Sequence, residues 1–177
     1  HHLWLQELKR YLQPLDDKGL YIYEGIHFIL SAEISSIFSE AGKVYRVHNV
    51  ILAPSFKIVE EINKMLSFHG NIASDGRPIL GLSCRKLIEE VFKISDEVMF
   101  IPAHIWTPWF SVFGSNSGFN SLEDAFGRHT DKITALETGL SSDPAMNWRL
   151  SGLDKFSLVS NSDSHSPSRI GREANVF

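Results

Sequence analysis

Apolar and polar positions alternate along this chain with two periods, and the switches between them mark its elements. Leu5, Leu8, Tyr11, Leu12 and Leu15 recur at helical spacing, which predicts a surface helix over Leu3–Leu15 closed by Pro14 and Asp16-Asp17. The short β-rich run Ile26–Ala32 predicts a strand leading into Glu33, and a second run, Lys43–Ala53, predicts a strand carrying His48. Pro54 and Ser55 then open a helix over Phe56–His69, with Ile58, Val59, Ile62 and Leu66 on one face and Gly70 as its stop. Beyond the polar loop Ser74-Asp75-Gly76-Arg77-Pro78, a third helix is expected over Ser83–Lys93, followed by a buried strand, Val98–Ala103, ending at His104. Trp106–Asn120 keeps neither period and reads as a long aromatic loop. A helix over Ser121–Phe126, a strand Ile133–Leu136 ending at Glu137, and a β run Phe156–Asn161 emptying into Ser162-Asp163-Ser164-His165 complete the order.

Strands therefore alternate with helices, and most strands end at or near a side chain able to bind metal. In an α/β barrel the C-terminal ends of the strands converge on one face, so Glu33, His104, Glu137, Asp163 and His165 would meet there, joined by His48. Carboxylate oxygen and imidazole nitrogen suit Mg²⁺, Mn²⁺ and Zn²⁺, and ions held close together need a bridging carboxylate. Taken singly, each residue has a plainer explanation. A histidine on a strand is commonly a hydrogen-bonded core residue, and a glutamate at a strand end is commonly solvated or caps a helix. His27, His69 and His129 receive no role on that ground. Asp163 and His165 lie two apart and so share one side of an extended segment. It is the co-occurrence of these residues at strand ends that carries the metal reading.

Composition narrows the function classes. With 177 residues, 43% hydrophobic and 21% charged, the chain is sized for one domain with a real core and is not a disordered or fibrous sequence. Seventeen Lys and Arg against 21 Asp and Glu give a net charge of −4, so nucleic acid would have to be held by a local patch. A single cysteine, Cys84, makes no internal disulfide and fits a reducing compartment, so the cytoplasm is expected. No apolar run approaches a membrane span, and no partnership with a membrane is expected. Gly42-Lys43 lacks the rest of a nucleotide-binding phosphate loop, so ATP is not expected. The opening His1-His2 reads either as a tag remnant or as native sequence.

The ordered set Ala32-Glu33-Ile34, Val47-His48-Asn49, Pro102-Ala103-His104 and Ser162-Asp163-Ser164-His165 resembles the later motifs of the polymerase and histidinol phosphatase (PHP) phosphoesterase superfamily. The longer strings Ile101–Phe110, Ala135–Pro144, Met146–Ser151 and Asn161–Pro167 resemble its endonuclease Q branch. The resemblance implies a distorted (β/α)₇ barrel truncated at its N-terminus, with residues 1–177 forming part of a phosphoesterase domain excised from a longer chain. It implies up to three divalent ions (Zn²⁺, Mn²⁺ or Mg²⁺) and, as partner and substrate, DNA containing damaged bases, nicked 5′ of uracil, hypoxanthine or abasic sites. Glu33 then resembles the carboxylate bridging two metals, His48 and His104 the histidines of the second metal, Asp163 a ligand of the first and His165 a ligand of the third. Of these, Glu33, His104, Asp163 and His165 are the expected catalytic set. His1 matches the histidine of the second motif if it is native, with Trp4 keeping the spacing. The superfamily's opening His-x-His and the Asp after it have no counterpart here, which leaves the expected site incomplete.

Trp106, Trp109, Phe110 and Phe113 follow His104 and offer faces for unpaired bases, though aromatics at such a position also serve simply as packing. Glu137, Arg149 and Arg172 join Trp106 and Trp109 as expected substrate contacts, with Arg77 and Arg169 as further phosphate candidates. Two rival functions stay open: a phosphatase of the same superfamily acting on a small phosphomonoester, and a metal-free, non-catalytic module.

Overall fold

The computed structural model describes residues 2–73 and 77–176, with the side chain of His2 set aside. Its elements run α1 (His2–Tyr11), β1 (Gln13–Pro14), β2 (Leu20–Tyr23), β3 (Ile26–Glu40), β4 (Lys43–Ala53), α2 (Phe56–Ser67), β5 (Ile79–Leu80), α3 (Cys84–Ile94), β6 (Met99–Pro102), α4 (Leu122–Phe126), β7 (Ala135–Glu137), α5 (Pro144–Asn147) and β8 (Ser157–Val159). Short 3₁₀ turns occupy Gly127–Lys132, Ser151–Leu153 and Pro167–Arg169.

The architecture is mixed α/β, but the pairing differs from the parallel barrel expected. Five strands lie in the order β1-β2-β3-β4-β6, with every neighbouring pair antiparallel, and β5 adds to β3 in parallel. A separate two-stranded parallel sheet joins β7 and β8. Among the described residues these strands form no closed barrel. The two consecutive strand runs at Ile26 and Lys43 form one long antiparallel hairpin. Its turn, Ala41-Gly42, has φ of 49° and 78°, the two successive positive values that suit a tight hairpin to twisted strands. Glu24-Gly25 makes the same turn between β2 and β3, with φ of 48° and 77°.

Alternation along the hairpin sorts its side chains into two faces. In the register, Ile34 faces Asn49 and Ser36 faces Val47, while Ser35 faces His48 and Glu33 faces Val50. Ile34, Val47 and Ile51 enter the main core beneath α2 and α3, where they meet Ile62, Leu66, Leu87, Ile88 and Val91, together with Phe100 and Phe126. The opposite face carries Glu33, Ser35, Arg46 and His48. The helices beneath are well started: Ser55 Oγ accepts from the Ile58 N–H at 3.3 Å, and Ser83 Oγ from the Lys86 N–H at 3.2 Å. No helix among the described residues is long and apolar enough to cross a membrane.

Candidate metal centre

Glu33 and His48 are diagonal neighbours across the β3–β4 pair, because Ser35, two residues from Glu33, stands opposite His48. His104 reaches them from the end of β6, where the Ala103 N–H donates to the His48 carbonyl at 3.0 Å. The ligand atoms of Glu33, His48 and His104 all lie within 4.8 Å of one another. His48 Nδ1 is 2.8 Å from Glu33 Oε1 and 3.2 Å from His104 Nε2. Ligand atoms held by one tetrahedral ion at about 2.0–2.1 Å stand roughly 3.3 Å apart, so the spacing suits a shared cation.

The hydrogen bonding fixes which nitrogens are free to ligate. Thr107 Oγ1 donates to the Trp109 carbonyl at 2.7 Å, so it accepts from His104 Nδ1–H at 3.1 Å. That leaves the lone pair of His104 Nε2 aimed at Glu33 and His48, with the ring held by a partner behind it as metal-binding histidines usually are. His48 Nδ1 then faces two acceptors and holds a proton between them, a proton that gives way when a cation binds. Its far nitrogen, Nε2, is buried without a hydrogen-bond partner among the described residues, and the Phe110 ring lies 4.7 Å away, centroid to centroid.

Electrostatics agree with this geometry. Burial alone would raise the Glu33 carboxyl, but the hydrogen bond and charge of His48, with Arg77 2.9 Å from Oε1, hold it at about 2. Burial lowers His48 below its ordinary value against the opposing pull of Glu33. Both groups therefore favour the protonation states that a divalent cation requires, an ionised carboxylate and a neutral imidazole.

Backbone strain is concentrated here. Of the five non-glycine residues with positive φ among the described residues, two form the hairpin turns and the other three are His104 (30°), Phe110 (61°) and Asp163 (44°). Such conformations persist only where the surroundings enforce them, and functional sites are where they gather. Glu137 does the enforcing at His104: Oε2 accepts the His104 N–H at 2.7 Å, and Oε1 accepts from Asn161 Nδ2 at 2.7 Å. Gly139, at φ 61°, passes so close that a Cβ there would stand 2.5 Å from the His104 Cβ.

The remaining expected site residues fall outside this triad. Asp163 and His165 follow β8 and do not join the group of ligand atoms within 4.8 Å. The His165 side chain is 72% exposed, with Nδ1 2.9 Å from the Asp163 carbonyl oxygen. Arg172 is spent on the Ser162 and Asp163 carbonyls at 2.7 and 3.3 Å, which braces that segment. Trp106 donates through Nε1 to Asn147 Oδ1 at 2.9 Å and packs on Phe113, so it serves the loop's interior. Trp109 is 49% exposed, and Arg149 is exposed beyond α5. Glu137 has both oxygens engaged by protein donors and acts on the position of His104. His1 lies outside the described residues. Sequence reasoning missed Thr107 and Gly139 as supports of His104, and Arg46, although its place two residues before His48 on a strand puts it on the same face.

No family model matches the chain. Among curated proteins it is 32% identical over 166 residues to the uncharacterized protein YqxK of Bacillus subtilis (strain 168), covering 92% of this chain and 40% of that protein. It is 39% identical over 72 residues to the uncharacterized protein MJ0043 of Methanocaldococcus jannaschii, covering 40% of this chain and 8% of that protein. Among solved structures it is similar to endonuclease Q in complex with a 27-mer duplex substrate bearing an abasic lesion at the active site, with a TM-score of 0.81 and 32% identity over 97% of this chain. It is likewise similar to the lesion-specific endonuclease PfuEndoQ of Pyrococcus furiosus, with a TM-score of 0.80 and 32% identity over 96% of this chain. The chain spans 40% of the length of each of these two structures, as it does of YqxK. In fold, then, and at 32% sequence identity, the chain is similar to endonuclease Q over nearly all of its length.

Proposed function

We propose that this chain is part of a metal-dependent endonuclease that nicks DNA 5′ of a deaminated base or abasic site, within a phosphoesterase of the PHP superfamily. The observation that carries the reading is the convergence of Glu33 Oε1, His48 Nδ1 and His104 Nε2 on one point, on a fold similar to endonuclease Q. Glu33, His48 and His104 hold one ion; Asp163 and His165 supply ligands to further ions, up to three in all, once the rest of the domain is in place. Zn²⁺, Mn²⁺ and Mg²⁺ all suit the donor set. The remainder of a PHP-type (β/α)₇ barrel comes from sequence beyond residues 1–177, and the enzyme works in the cytoplasm.

When bound, such metals supply Lewis acidity and hydroxide near neutral pH for phosphodiester hydrolysis. The chain's own residues do the positioning. Glu33 presents an ionised oxygen, His104 is held in one tautomer by Thr107, and Glu137 with Asn161 fixes the strained turn beneath it.

The test is cleavage of a labelled duplex bearing one deoxyuridine, deoxyinosine or abasic site, by the full-length natural protein, with Mn²⁺ or Mg²⁺ and a chelator control. Metal-dependent nicking on the 5′ side of the lesion is expected, reduced by about 100-fold or more in Glu33→Gln and His104→Ala. Release of phosphate from a small phosphomonoester without nicking would move the assignment to a phosphatase. Full activity in either variant would remove these residues from the centre.

A further inference from the structure

Arg46 shares a face of β4 with His48, two residues and therefore about 7 Å along the strand. The aromatic loop is laced to β4 at both positions. The His48 N–H donates to the Phe110 carbonyl at 3.0 Å and the Arg46 N–H to the Ser117 carbonyl at 3.1 Å. Ser117 Oγ links the two, accepting from the Phe110 N–H at 3.2 Å and donating to the Arg46 carbonyl at 3.3 Å. This lacing holds Phe110 at its positive φ and sets Trp109, its neighbour, against the Arg46 guanidinium, which lies 5.3 Å from the indole centroid.

The guanidinium has no other partner among the described residues. Among the described residues no carboxylate lies within ion-pair distance of Arg46, and its side chain makes no hydrogen bond, whereas Arg77 pairs with Glu33, Arg85 donates to the Asp124 carbonyl and Arg172 to two carbonyls. Five N–H donors in a planar fork, without protein acceptors, match the oxygens of a phosphodiester. The indole beside it is half exposed on a prebuilt loop and offers a face on which a base can stack.

We propose that Arg46 and Trp109 form a nucleotide subsite beside the metal centre, in which Arg46 binds a phosphodiester flanking the cut and Trp109 stacks on the adjacent base. This rests on the reading of the chain as a DNA-cleaving module. Binding is therefore measured apart from cleavage, by fluorescence anisotropy of a labelled duplex with one abasic site in the presence of chelator. The full-length protein is used across a salt series, with Arg46→Ala, Arg46→Lys, Trp109→Ala and Trp109→Phe. Circular dichroism and metal content confirm that each variant is folded.

Arg46→Ala is expected to weaken binding roughly 5- to 10-fold and to lower the salt slope by about one, while Arg46→Lys keeps the slope and loses part of the affinity. Trp109→Ala is expected to lose roughly 5- to 20-fold with the slope unchanged, and Trp109→Phe to retain most of the affinity. Wild-type affinity and slope in folded Arg46→Ala and Trp109→Ala overturn the proposal, as does a wild-type protein that fails to bind the duplex. If the variants lose binding while the wild type nicks nothing, the subsite stands and the endonuclease reading falls.

Discussion

His104 is the most constrained residue of the site: its backbone sits at φ 30°, its N–H is spent on Glu137, and its ring is steered by Thr107. Gly139 is needed because nothing larger fits against the His104 Cβ. Gly139→Ala should cost about 1–3 kcal/mol of stability and lower the melting temperature by a few degrees, with metal affinity lost alongside; thermal melts and metal titration would show both. Thr107→Val should leave the melt nearly unchanged yet weaken metal binding roughly 10- to 100-fold, because the imidazole loses the acceptor that fixes its tautomer. The pH dependence has a definite sign. The Glu33 carboxyl is held at about 2, and burial lowers His48 below its ordinary value, so both keep their metal-binding protonation states as the solution becomes mildly acidic. Affinity should therefore hold at neutral pH and fall only on acidification below the ordinary imidazole range; a fall that begins on the alkaline side of neutrality in a pH series of titrations would contradict this. At this scale the members of the candidate metal group, Glu33, His48 and His104, were among the residues the sequence had singled out, since metal chemistry restricts residue type. Their supports were not, because a threonine, a glycine and an asparagine have many uses and only contact reveals which one applies.

At the scale of elements, periodicity located the helices well and the strands less completely. Phe56–Ser67 and Cys84–Ile94 match their expected spans closely because each has a serine cap and a single apolar stripe. The expected helix over Leu3–Leu15 ends at Tyr11, and β2 went unseen because four consecutive apolar residues, Leu20–Tyr23, show no alternation. The strand read as Ile26–Ala32 continues to Glu40, since Ser35 and Ser36 look polar in sequence yet are buried between neighbouring strands. That extension moves Glu33 from a strand end to mid-strand and carries β3 into a hairpin with β4. The parallel β7–β8 pair has its own weak point. Asn161, just beyond β8, supplies one of the two protein donors to the buried carboxylate of Glu137, whose pKa burial already raises. Asn161→Leu should destabilise the chain by about 1–3 kcal/mol and displace His104, read as lost metal affinity in protein that still folds.

For the whole molecule, the arrangement separates a core that confers stability from a face that carries chemistry. Leu87, Phe100 and Phe126 are fully buried under the sheet, on the side away from Glu33 and His48. Phe126→Ala should cost about 3–5 kcal/mol in chemical denaturation and leave metal affinity of the folded fraction unchanged. The net charge of −4 is compatible with DNA binding only if contacts are local, and the proposed Arg46 subsite would be such a local contact. Composition set the size and class of the chain, whereas the pairing of strands, which depends on contacts between distant residues, emerged only in three dimensions. Glu33, His48 and His104 are positioned so that together they could hold a divalent ion. Calorimetric titration of the chelator-treated, full-length protein with Mn²⁺ and Zn²⁺, beside the His104→Ala variant, tests it most directly. Saturable binding is expected, weakened by at least about 10-fold in the variant. Equal affinity and stoichiometry in the two proteins would contradict it.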